Sequence, residues 1–259
     1  MNNVTAMIPV LLGSTRVPDK NIILVDGNVL CSYTISACKN SGVFDTICLN
    51  SEDNIFKSIA DKEGVLFHKR PPEWGGRTCK QNTKSRNCAG ERCVINEHYL
   101  YQFMTTGTQS EYVCQINATS PLLKPETIRA FVAKLKEGIF DSLFATTEIG
   151  AESFYKNQPI SFSRKYKQPS NELESIQSIC WAIAGWRREA FIDSYEKNDL
   201  EENGPAFVDH LGLFPIDERE ALDVDYWSTL DVVEQFLIAR RKKVARTWEY
   251  VDGRSITLE

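Results

Sequence analysis

The sequence predicts an α/β fold in which a mainly parallel sheet is covered by helices on both faces. Three observations predict it. From residue 5 to residue 148, short β-branched runs alternate with helical patterns. The segments between successive strand candidates are long enough to hold a crossover helix, which parallel strands require. The chain has 259 residues, 42% hydrophobic and 25% charged, enough to bury a core of that kind.

The elements follow in order. "TAMIPVLL" (5–12) reads as a strand, and "NIILV" (21–25) as a second extended run closed by an Asp26-Gly27 turn. Leu30, Tyr33, Thr34, Ala37 and Cys38 recur at helical spacing up to Gly42. "VFDTICLN" (43–50) is strand-like. "SEDNIFKSIADKEG" opens on Ser51 as a possible N-cap and closes at Gly64, and "VLFH" follows as a short strand. Beyond a long polar loop come a helix at 94–104, a strand at 111–118, an amphipathic helix at 125–138 and a strand at 141–148. Residues 150–178 break the rhythm and read as an inserted arm. "ICWAIAG" resumes the core, "WRREAFIDSY" is a short helix and "PAFVDHLGLFPID" is extended. The last helix carries Leu230, Val233 and Leu237 on one face, and its Arg/Lys-rich end suits a helix C-terminus. No internal repeat or low-complexity tract is present.

Composition narrows the function. A formal net charge of −5 gives no general attraction for nucleic acid, so any anion site depends on local cations. The apolar stretch "AMIPVLLG" is too short to span a bilayer and lacks a basic leader, which points to a cytoplasmic protein with no membrane partner. Of the eight cysteines, Cys31, Cys38, Cys48, Cys114 and Cys180 lie in or beside apolar runs, as reduced core residues do.

Three stretches carry chemistry. In "IPVLLGSTRVPDKN" (8–21) a strand runs into a loop holding Gly13, Ser14, Arg16 and Lys20. A glycine lets backbone N–H groups approach an anion, a serine donates a hydrogen bond, an arginine offers a planar fork and a lysine a movable charge. The stretch is neither a Walker loop nor a GxGxxG fingerprint, and a solvated turn is the alternative reading. In "QINATSPLLKPETI" (115–128), Gln115 and Asn117 share a face if the segment is a strand, and Thr119 and Ser120 suit either ligand contact or a turn capping the next helix. In "EALDVDYWSTLD" (220–231), Asp223 and Asp225 would face one side of a strand, where two carboxylates suit Mg²⁺ on a polyphosphate. A lone DxD also marks solvated turns.

The order of these residues resembles that of the cytidylyltransferases that activate sialic acid and related 2-keto-3-deoxy sugar acids. Ile8, Pro9, Gly13, Ser14, Arg16, Pro18, Lys20 and Asn21 match that family's opening signature. Thr119, Ser120, Pro121 and Leu122 match its "QPTSPLR" segment, with Asn117 at the glutamine. Asp223-Val-Asp225 matches its "(I/V)DID…D" segment, with Asp231 at the last aspartate. Leu11 and Leu123 stand where the family has arginine.

The resemblance implies a three-layer α/β/α nucleotidyltransferase fold, with residues 1–259 as one domain. It implies Mg²⁺ on Asp223 and Asp225, and CTP held by the loop Leu11, Gly13, Ser14, Arg16 and Lys20. Arg16, Lys20, Asp223 and Asp225 would be catalytic, and a 2-keto-3-deoxy sugar acid would lie near Gln115, Asn117, Thr119 and Ser120. It also implies a homodimer paired through the arm at 150–178, where Arg164 and Lys165 could reach a sugar carboxylate. Residues 70–98 resemble the family's "RPxxLA" stretch with an insertion, a lid at 72–92. Cys79, Cys88, Cys93 and His98 within or beside it could bind zinc, or be free thiols of a cation-rich loop. Two rivals stay open: a DxD glycosyltransferase using a nucleotide-sugar, and a nucleotide-binding protein that has lost catalysis.

Overall fold

The computed structural model describes residues 3–72, 95–197, 206–242, 246–249, 251 and 255–258. Its centre is a seven-stranded sheet made from β1 (Val4–Pro9), β4 (Thr46–Ser51), β5 (Leu66–Lys69), β6 (Tyr112–Ile116), β7 (Ser142–Ile149), β10 (Ile176–Arg187) and β11 (Leu211–Pro215), in the order β11-β7-β10-β6-β1-β4-β5. Pairing is parallel between β1 and β4, β1 and β6, β4 and β5, and β11 and β7. β10 alone runs antiparallel, against both β6 and β7. No helix fills the segment between β7 and β10, so the chain returns as a long ribbon instead of crossing over. That segment, the expected arm, holds only a small hairpin of β8 (Phe154–Tyr155) with β9 (Gln158–Pro159) and a 3-10 turn at Ser170–Glu172.

Alternate residues of β1 face opposite layers, as a doubly covered strand must. Val4, Ala6 and Ile8 pack with Ile35 and Cys38 of α1 (Leu30–Ser41) and with Ile128, Phe131 and Leu135 of α4 (Pro125–Leu135). Met7 faces the other layer, with Tyr99, Leu100, Phe103, Trp186 and Phe191 from α3 (Ile95–Gln102), β10 and α5 (Arg188–Lys197). Each such side chain contributes about 1.5–3 kcal/mol by leaving water. Gly185 is what lets α4 sit close on the sheet. A Cβ there would lie 2.7 Å from Leu135 Cδ2 and 3.0 Å from Phe131 Cε1. α2 (Ile55–Glu63) covers the β4–β5 edge and turns off through Gly64 at φ 66°.

A third cluster positions the site. Leu230, Val233 and Leu237 of α6 (Trp227–Lys242) pack on Val17, Leu30, Leu122 and Val224, clamping the first loop, the segment after β6 and the DxD segment together. Arg241 adds a two-pronged contact to Asp26 at 2.7 and 2.9 Å, and Arg240 donates to the Leu122 carbonyl at 2.6 Å.

Several expectations are corrected. The first strand stops at Pro9. "NIILV" is no sheet strand: Lys20–Ile22 is a 3-10 turn, and β2 (Leu24–Val25) pairs only with β3 (Asn28–Val29) across Asp26 and Gly27, both at positive φ. Trp186 and Arg187 belong to β10, not to the helix that follows. A C-terminal hairpin of β12 (Arg246–Glu249) and β13 (Ser255–Leu258) follows α6 without having been anticipated. Cys31, Cys38, Cys48 and Cys114 are buried free thiols as read, and burial pushes Cys31 and Cys48 up to about 12. No described helix is long and apolar enough to cross a membrane.

Candidate active site

A cavity of about 430 Å³ opens beyond the carboxyl ends of β1 and β6, where open parallel sheets place their ligands. The first loop forms one wall. Gly13 turns the chain at φ 81°, and its N–H donates to Asp19 Oδ1 at 2.5 Å. Asn21 Nδ2 donates to the Leu11 carbonyl at 3.0 Å. These bonds shape the loop so that Ser14, Arg16 and Lys20 line the cavity, as does Leu11. The Gly13 N–H therefore braces the loop internally and is not presented to an anion. A smaller hollow of about 210 Å³ lies against the same loop, lined by Gly13, Ser14, Thr15 and Arg16 among others.

Asp223 and Asp225 meet the loop from the segment before α6. That segment is irregular and not the strand expected, yet the alternation survives: Val224 is buried in the α6 cluster, and the two aspartates line the cavity. A bond from the Val224 N–H to the Thr119 carbonyl, 2.8 Å, ties it to the end of β6. Asp225 gives one oxygen to Arg16 at 2.7 Å and the other to Lys20 at 2.6 Å. Burial holds the Asp223 carboxyl above the usual carboxylate range, against the pull of the Thr119 hydroxyl and Lys20. Its buried Oδ1 accepts no hydrogen bond from the described residues. An orphaned carboxylate oxygen beside a second carboxylate fits a hard divalent cation with oxygen ligands. Among the described residues no larger cluster of His, Cys, Asp and Glu stands ready for a metal.

Gln115, Asn117 and Thr119 line the floor at the end of β6. The Asn117 N–H donates to the Ala182 carbonyl, and its own carbonyl accepts from Thr34, so its backbone is satisfied within the fold. Ser120 is fully buried and does not line the cavity, and no side chain caps α4; the N–H of Lys124, the residue before the helix, donates to Glu220. Leu123, 2% exposed, is a core residue. Asp231 is an exposed residue beyond the first turn of α6, away from the cavity, and Arg164 and Lys165 are exposed on the arm. Cys79, Cys88, Cys93 and the proposed lid lie outside the described residues. His98 packs edge-on against Tyr195 and is hydrogen-bonded to its hydroxyl.

The other wall was missed by sequence reasoning. Arg70, 1% exposed, pairs with Glu52 at 2.7 Å and donates to Asn50 Oδ1 and to the Val10 carbonyl. Its guanidinium lies 5.0 Å from the centre of the Tyr99 ring. Asn50 then donates to His68 Nδ1 at 3.0 Å, which assigns the histidine proton to Nε2 facing Thr106. Glu97, Tyr99 and Leu100 of α3 join from one side, and Trp181 and Phe207 from the other. Trp181 sits at φ 59° in a bulge of β10 between Ile179 and Ala184, a conformation that costs a non-glycine residue about 1–3 kcal/mol. Only Arg70 had a local signal, in the Arg70-Pro71 pair that matches the opening of the "RPxxLA" stretch.

Known proteins share the sequence family and the fold of this chain. The family model described as cytidylyltransferase matches residues 5–182. The pseudaminic acid cytidylyltransferase of Campylobacter jejuni is 30% identical over 226 residues, covering 85% of this chain and 89% of the relative. The CMP-N,N'-diacetyllegionaminic acid synthase of the same species is 24% identical over 229 residues, covering 88% and 91%. Among solved structures, a CMP:2-keto-3-deoxy-manno-octonic acid synthetase complexed with CTP superposes with a TM-score of 0.65 at 13% identity, covering 92% of this chain and 99% of that one. That likeness confirms the nucleotidyltransferase fold.

Proposed function

The chain belongs to the cytidylyltransferase family, and we propose that it transfers CMP from CTP to the anomeric hydroxyl of a 2-keto-3-deoxy sugar acid of the nonulosonic type, releasing pyrophosphate. One observation carries the reading: Arg16, Lys20, Asp223 and Asp225, drawn from opposite ends of the chain, converge on one cavity beside Gln115, Asn117 and Thr119. The named acids of the relatives give the substrate class.

In this reading the triphosphate replaces Asp225 as the partner of Arg16 and Lys20. The cations are already held within reach, so little reorganisation accompanies binding. Asp225, released from both, and Asp223 would hold Mg²⁺, which would supply charge neutralisation for the phosphates and the leaving pyrophosphate. The sugar hydroxyl then attacks the α-phosphorus in line, and the bond to the bridging oxygen breaks. None of the three histidines lines the cavity, so the hydroxyl proton goes to a carboxylate or to water.

Two further parts of the reading concern assembly. The chain acts as one domain, and it forms a homodimer through the arm, where Phe154, Tyr155, Ile160 and Tyr166 stand exposed. The glycosyltransferase alternative has no comparable support. Loss of catalysis is disfavoured because Arg16, Lys20, Asp223 and Asp225 are all present and line one cavity. Asp223→Ala should lose detectable CMP-sugar formation while calorimetry still registers CTP. A protein without turnover in either form would contradict the reading.

A further inference from the structure

Among the described residues three carboxylates line the cavity, and the proposed transfer uses two of them. Asp225 is counter-ion to Arg16 and Lys20, and Asp223 keeps an oxygen open. Glu97 has no such role. It is half-buried in the first turn of α3, and among the described residues no cation pairs with it. Burial holds its carboxyl above the usual range, against the smaller pull of its own backbone N–H. The helix dipole favours an acid in a first turn, but it does so equally for an exposed one.

The surroundings define what Glu97 can receive. Tyr99 donates its hydroxyl to Gln115 Oε1 at 3.5 Å, linking α3 to the floor at β6. Trp181 enters from the strained bulge of β10, with Phe207 edge-on to it at 6.1 Å between ring centres. The Phe207 segment is fixed by the Trp186 Nε1–H bond to the Ala206 carbonyl, 2.7 Å. The Arg70 guanidinium over the Tyr99 ring is already paired with Glu52, so what this side offers a ligand is aromatic surface and one carboxylate, which disfavour phosphate. They suit a group with an N–H donor and an apolar tip.

We propose that Glu97 is a specificity-determining residue for the sugar acid: its carboxylate accepts a hydrogen bond from an amide N–H on the sugar, and Trp181 and Phe207 enclose the acyl carbons. The inference rests on the CMP-transfer reading. It assigns the cavity to N-acylated acids over acids that carry only hydroxyls.

The test measures affinity without turnover. Saturation-transfer NMR titrates an N-acylated nonulosonic acid, and separately 3-deoxy-octulosonate, into protein holding Mg²⁺ and a CTP analogue with a methylene between its α- and β-phosphates. Glu97→Leu should weaken the N-acylated acid roughly 10- to 100-fold, the worth of a hydrogen bond to a charged acceptor. It should weaken octulosonate less than about 3-fold, and Glu97→Gln should restore most of the loss. The affinity for the analogue and the melting temperature should not change. Equal losses for both acids, unchanged affinity, or weakening of the nucleotide analogue instead would overturn the proposal, the last by giving Glu97 to the cytosine amine. If wild-type protein binds the analogue but neither acid, the sugar-acid reading falls with it, and that result is distinct from unchanged affinity in the variants.

Discussion

The two walls of the cavity are built by opposite strategies. The wall proposed to hold phosphate draws Arg16 and Lys20 from a single loop and closes them ionically on Asp225, with contacts of 2.6 and 2.7 Å. The facing wall takes Glu97 and Tyr99 from α3, Trp181 from a bulge in β10 and Phe207 from the segment before β11, and no cation among the described residues pairs with Glu97. A wall of satisfied charge is specific for a charged ligand shared across a family. A wall of aromatic faces and one spare acceptor can be retuned residue by residue without disturbing the other.

If the walls are separate in function, substitutions in each should disturb different constants. The largest effect belongs to the phosphate wall. Lys20→Ala should lower kcat/KM for CTP by about 10²–10³-fold, in the range for loss of one charge that stabilises a transferring phosphoryl group. The KM for the sugar acid should stay within about 3-fold if, as proposed, the lysine meets only phosphate. A rise in both would merge the walls.

Next in size is the support beneath the facing wall. Arg70→Met strands the Glu52 carboxylate and should cost about 3 kcal/mol in denaturant unfolding, because a buried pair is expensive to break from one side. A loss confined to CTP affinity, with stability intact, would move Arg70 to the phosphate wall.

The smallest effect is a pH dependence of the same network. Burial holds His68 below its ordinary value of 6.5, and Nδ1 is occupied by Asn50, so the folded protein keeps the ring neutral. The unfolded chain takes up that proton first as pH falls. His68 therefore lends full stability above about 6.5, and this is lost as pH falls toward the depressed folded value. Melting temperatures taken from about pH 7.5 downward should decline less steeply in His68→Gln. Parallel curves would show that the histidine titrates alike in both states.

The same contrast governs what could be read beforehand. Arg16, Lys20, Asp223 and Asp225 were legible because each pair is local in sequence and carries chemistry that turns rarely need. The parallel sheet was legible because its strands are apolar on both faces and its crossover helices end at glycines such as Gly42 and Gly64. β10 was not, since direction is set by the missing crossover and not by residue pattern. Trp181 sits in "ICWAIAG", where nothing marks a bulge, and Glu97 resembles any acid at the start of a helix. Ser120 misled because a serine before proline suits a ligand contact and a buried turn equally. Gly13 misled because its N–H found a partner, Asp19, within the loop itself.

The most direct measurement is pyrophosphate release by the purified protein with Mg²⁺, each nucleoside triphosphate being tested against a panel of 2-keto-3-deoxy sugar acids. The account predicts release that requires both CTP and an N-acylated nonulosonic acid, with CMP-sugar formed in equal amount. Release without any sugar acid, or none from any pair although CTP binds, would contradict it.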